Sequence, residues 1–116
     1  MKLNILGTEY EVVVSTEDKE PLLTDCDGCC DTSTKKLYIK DCSKDRNDTN
    51  ALRDLDAYMH KVARHEMTHA FLHESGLSIC SDWAMTEELV DWIAIQLPKM
   101  AKLAAELDAV RLMTEE

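Results

Sequence analysis

The most constraining feature of this chain is a change of hydrophobic period at Ala51. From there Leu52, Leu55, Met59, Val62, Met67, Ala70 and Phe71 recur at the spacing of one helix face, and Gly76 follows as a stop. Before that point the pattern is that of strands. Residues 2 to 14 read as a hairpin, with Leu3 and Ile5 alternating with polar neighbours, a turn at Gly7-Thr8, and β-branched or aromatic residues from Tyr10 to Val14. Residues 25 to 34, rich in Asp, Cys, Ser and Thr around Gly28, read as a loop, and Lys36 to Lys40 as a third short strand. Asp41 to Asn50 is loop chemistry ending in a helix cap at Thr49 or Asn50. A second helix is expected from about Ala84-Met85-Thr86 to Pro98. Pro98 then opens a third helix, with Met100, Leu103, Leu107, Val110 and Met113 as its apolar stripe. Strands first and helices after predict an α+β class: a small N-terminal sheet packed on the long helix, then two further helices.

With 116 residues the chain has room for one domain spanning residues 1–116, and a 45% hydrophobic content suits a folded core. The net charge of −10 repels phosphate backbones and anionic lipid, which argues against nucleic-acid and membrane partners. No apolar signal core follows Met1-Lys2-Leu3-Asn4, and no run nears membrane-spanning length, so the expected location is the cytoplasm. In that reducing compartment the five cysteines (Cys26, Cys29, Cys30, Cys42, Cys80) are expected as thiols rather than a disulfide framework.

The long helix carries His65-Glu66-Met67-Thr68-His69. Residues four apart lie about 40° apart in projection and roughly 6 Å apart along the axis, so two imidazoles can share one zinc ion. Glu66 then stands where a metal-bound water can be reached. Zinc of this kind needs a third protein ligand and one open position. His73, eight residues beyond His65, is about 12 Å away along the axis and cannot converge with both histidines; it is expected in the pocket wall or near the helix end. The better source is the next helix, where Glu87 and Asp91 share a face. Glu87 would complete the site, with Glu88 as the alternative if the helix phase is shifted by one. Asp91 would accept the free ring N–H of a ligating histidine and fix its tautomer.

His65-Glu66-x-x-His69 followed by Glu87-x-x-x-Asp91 resembles the gluzincin metallopeptidases, and in style their smallest members, the minimal gluzincins and the phage or ImmA/IrrE-type domains. The resemblance covers Lys61 to Gly76 and Glu87 to Pro98, about a third of the chain. It implies a sheet packed on the metal-binding helix, one zinc per chain, and hydrolysis of a peptide or protein substrate. The Tyr, His or Arg that larger relatives use toward the oxyanion has no identified counterpart. Tyr58, His73 and Tyr38 are the candidates for that role, and Leu37 to Ile39 is the expected sheet edge for an extended substrate.

Other readings stand beside this one. The chain could be a non-catalytic zinc-binding regulatory or interaction module of phage or prophage type. A peptide-deformylase-like metallohydrolase would draw a cysteine to the two histidines, and Cys26-x-x-Cys29 with Cys42 could hold a structural zinc. Trp83 and Trp92 are expected in the core. The stripe from Met100 to Met113 is expected to pack on its own domain, with a homodimer through the C-terminal helix as the alternative.

Overall fold

The computed structural model describes residues 1–42 and 54–113. Four strands come first: β1 (Lys2–Ile5), β2 (Thr8–Ser15), β3 (Gly28–Asp31) and β4 (Lys36–Lys40). Helices α1 (Leu55–Glu74), the single turn α2 (Leu77–Cys80) and α3 (Glu87–Asp108) follow. The class is α+β, as the change of period predicts. The expected caps Thr49 and Asn50, with Ala51 and Leu52, lie outside the described residues. At the described start of α1, the Asp54 side chain accepts from the Ala57 N–H at 2.9 Å.

β1 and β2 form the expected hairpin, but its turn is Leu6-Gly7, one residue earlier than expected. Both residues have positive φ, 51° and 93°, as a two-residue hairpin turn requires. The sheet order is β1-β2-β4-β3, with β4 parallel to β2 and antiparallel to β3. Two expectations are corrected here. The segment 25–34 is not all loop, because it contains β3. Gly28-Cys29-Cys30-Asp31 has no clear alternation and no β-branched residue, so its strand character comes from pairing with β4, Gly28 opposite Ile39 and Cys30 opposite Leu37. Consequently Leu37 to Ile39 lies inside the sheet, hydrogen-bonded on both sides, and offers no edge to a substrate.

One face of the sheet carries the core. Ile5, Tyr10 and Leu37 are buried against Ala70 of α1, with Leu3, Val12, Cys30 and Met67 packed around them. The end of α1 is tied to the sheet by one carboxylate. Glu74 accepts from the Tyr10 hydroxyl at 2.6 Å, the Thr8 hydroxyl at 2.9 Å and the Lys35 ammonium at 2.9 Å. These donors hold the Glu74 carboxyl down to about 2, from an ordinary 4.5. A carboxyl lowered by folding stabilises fully above its unfolded value, and that contribution is lost as pH falls from about 4.5 toward 2. Glu74→Gln is therefore expected to lower the melting temperature at pH 7 and to flatten its decline below pH 4.5. Thermal melts of both proteins in chelator across pH 2–7 check this. Equal slopes would show that the carboxylate network does not couple to folding.

Pro98 does not begin a third helix; α3 runs through it as one helix of 22 residues. A proline in a helix interior deprives the carbonyl four residues earlier of its donor. Here that carbonyl is Ala94, and Arg64 of α1 supplies the missing donor from Nε at 2.7 Å. The side chain thus removes the cost of an orphaned acceptor and pins α3 to α1. Arg64→Ala is expected to cost about 1–3 kcal/mol in urea denaturation. In a Pro98→Ala background, where residue 98 has its own N–H, the same substitution should cost at least about 1 kcal/mol less. Additive effects would refute the replacement.

Further corrections concern apolar residues. Trp83 and Trp92 are exposed, because the positions facing α1 and the 3-10 turn before α3 are taken by Ala84, Val90 and Ala94. Those small side chains let the elements approach closely and leave the indoles outside. The stripe from Met100 to Met113 does not pack on its own domain either: every residue from Pro98 to Met113 is exposed. No helix among the described residues is long and apolar enough to cross a membrane.

Candidate metal centre

Halfway along α1, His65 and His69 project on the same side, ring centroids 4.9 Å apart. Glu87, the first residue of α3, reaches across to both. Its Oε2 lies 2.8 Å from His65 Nε2 and its Oε1 3.1 Å from His69 Nε2. One donor atom from each of the three residues lies within 4.8 Å of the others. A tetrahedral zinc ion with bonds near 2.0–2.1 Å separates its ligand atoms by about 3.3–3.4 Å, so small outward shifts would seat it. Two imidazoles and a carboxylate are a donor set that zinc accepts, and the exposed Glu87 side leaves room for a further position. Glu88, one residue on, is exposed and outside this group.

Asp91, one turn beyond Glu87, meets His65 from behind. Its Oδ1 is 3.1 Å from His65 Nδ1 and 3.1 Å from the Lys61 ammonium. Burial pushes the Asp91 carboxyl up, but the hydrogen bonds from Lys61 and His65 outweigh it and hold the group below its ordinary range. An ionised Asp91 is placed to accept from His65 at Nδ1, which would turn Nε2 toward a metal held with Glu87.

Glu66 lines the same cavity but is only 7% exposed. Burial pushes its carboxyl up to about 7; the charge on His65 opposes this, the negative Glu87 adds to it, and the Cys30 N–H opposes it. Its neighbour across the interface is Gly28, at the start of β3. A Cβ on Gly28 would lie 2.6 Å from Val62 Cγ1 and 2.9 Å from Glu66 Oε2. Only glycine lets β3 come this close to the helix.

These residues surround a cavity of about 400 Å³, open to solvent and lined by both histidines, Glu66, Glu87, Asp91 and the Cys26-Asp27-Gly28 segment, with Tyr58, Lys61 and Val62. Of the three side chains considered for the oxyanion, Tyr58 lines the cavity, its hydroxyl donating to Asp27. His73 and Tyr38 are not part of the lining. His73 lies two turns past His65, with Nε2 3.9 Å from Glu74. Tyr38 alternates with Leu37 and Ile39 and so points away from the α1 side of β4. Cys26 lines the cavity but stands outside the three-donor group, its thiol directed to the Leu22 carbonyl at 3.0 Å. Among the described residues no three of the cysteines converge on one point.

Sequence reasoning missed Asp27, Gly28 and Lys61. The available signal was Gly28, an isolated glycine of the kind that marks the close approach of another element. For Asp27 and Lys61 no local signal exists, because their partners Tyr58 and Asp91 stand 31 and 30 residues away. Compared with known protein families, with characterised proteins and with solved structures, the chain shows no match.

Proposed function

We propose that this chain is a zinc-dependent metallopeptidase of gluzincin type, acting on a peptide or protein substrate in the cytoplasm. The observation that carries the reading is the convergence of His65, His69 and Glu87 from two helices, beside a buried carboxylate that belongs to none of the three. A structural site needs no Glu66 on that wall, whereas a hydrolase does.

A bound zinc ion would supply an acidified water and a Lewis-acid contact for the scissile carbonyl. Glu66 accepts a proton at its carboxylate and returns it to the leaving amine; its wall of Val62 and Gly28 excludes bulk water on that side. Asp91 fixes the tautomer of His65. An extended peptide would lie along β3, the strand edge that starts at the cavity with Gly28, rather than along β4.

The test is metal content by mass spectrometry on protein purified without added zinc. About one zinc per chain is expected for the wild type and for Glu88→Ala, with loss in His69→Ala and Glu87→Ala. Wild type without zinc, and without affinity for added zinc, would overturn the reading. Zinc retained by Glu87→Ala and lost by Glu88→Ala would move the third ligand by one residue.

A further inference from the structure

The outward side of α3 carries a second pattern that the metal site does not use. Leu89, Ile93, Gln96, Met100, Leu103 and Leu107 are spaced 4-3-4-3-4, the alternation of a coiled-coil seam. At 100° per residue the centre of this seam lies about 120° round the helix from the midpoint of Val90 and Ala94, which α3 buries against its own domain. It runs for about 27 Å. Its far half is fully uncovered: Met100 is 53% exposed, Leu103 63% and Leu107 56%. One row of long apolar side chains on a helix that projects from its domain is costly to leave in water.

The charges beside the seam say what covers it. Lys99 and Glu106 occupy the same flank, each one residue before a seam position, Met100 and Leu107. In an antiparallel pair of identical helices, Met100 layers against the partner's Leu103, and residues of this flank face each other. Lys99 then meets the partner's Glu106, twice by symmetry, while Leu97 meets the partner's Ala104 on the other flank. The helix dipoles also oppose favourably in that orientation. The overall acidity does not oppose a second copy here: Pro98 to Met113 holds three basic and two acidic residues, in a protein of net charge −10.

We propose that the chain forms a homodimer through this seam, with the two α3 helices antiparallel. The inference is independent of the metal reading, since no seam residue belongs to the cavity.

Sedimentation equilibrium on the 116-residue chain tests it. The wild type is expected as a dimer at micromolar concentration. Leu103→Glu, a substitution at an exposed position, is expected as a monomer with unchanged circular dichroism. Lys99→Glu and Glu106→Lys should each weaken the dimer by about tenfold, because each replaces two attractive contacts by two repulsive ones. The double variant Lys99→Glu/Glu106→Lys should recover wild-type affinity. A wild type that stays monomeric at 100-fold higher concentration, or a Leu103→Glu protein that remains dimeric, overturns the seam. A double variant as weak as Glu106→Lys alone overturns the antiparallel arrangement, because in a parallel pair Glu106 would face the partner's Arg111 and gain nothing from a change at Lys99.

Discussion

Glu66→Gln is expected to lower cleavage of a peptide mixture by about 10²–10⁴-fold, while the protein keeps about one zinc per chain. The amide has the shape of the carboxylate and can accept the same Cys30 N–H, so the wall between α1 and β3 stays filled. It cannot take a proton. The three converging donors lie on His65, His69 and Glu87, so metal retention does not depend on residue 66. Removing a carboxyl that burial already pushes up to about 7 leaves no unpaired charge behind, so the variant is expected to fold. Cleavage products followed by mass spectrometry and zinc measured on the same preparations separate the outcomes. Equal cleavage by variant and wild type would remove Glu66 from the chemistry. Loss of zinc in the variant would make Glu66 a ligand. A wild type that holds zinc and cleaves nothing would favour the non-catalytic zinc module.

Gly28→Ala has the second largest expected effect, and it acts through space that does not exist. The added methyl would meet Val62 at 2.6 Å and Glu66 at 2.9 Å, and both neighbours are buried on α1. Neither is the free end of a flexible surface chain, so β3 and α1 must separate. Overpacking of this kind costs about 1–3 kcal/mol. The displacement falls on Glu66, so peptide cleavage should fall along with stability, with zinc retained. Val62→Ala should suppress the loss when combined with Gly28→Ala, because it removes the closer of the two clashes. Urea denaturation of both single variants and the double variant reads the coupling. A Gly28→Ala protein as stable and as active as the wild type would show that the strand can move away freely, and that glycine is not required for the approach.

The surroundings of the cavity shift two of its carboxyls in opposite directions. Glu66 is raised by burial, and part of that burial comes from a strand that begins with Gly28. Asp91 is lowered by hydrogen bonds from Lys61 and His65. Two acids of similar intrinsic strength are thus driven apart by their surroundings.

What the sequence determined by itself was local. His65 and His69 share a face because any helix puts residues four apart together, and the apolar period around them shows the helix without knowledge of the rest. Glu87 and Asp91 obey the same rule on α3, so the grouping of His65, His69 and Glu87, with Asp91 beside His65, was legible before any tertiary contact. The hairpin, β4 and the stop at Gly76 were legible for similar reasons, since alternation and turn chemistry act over a few residues.

Tertiary structure alone decided the features whose causes lie far apart in the chain. Gly28-Cys29-Cys30-Asp31 becomes a strand because β4 is there to pair with it, and by doing so it takes the sheet edge away from Leu37 to Ile39. Pro98 stays inside a helix because Arg64, 34 residues earlier, supplies the hydrogen bond that proline cannot. The tryptophans stand outside because Ala84, Val90 and Ala94 set the spacing of the packed elements. In each case the local preference was real, and a contact with a distant residue was worth more than the preference it overrode.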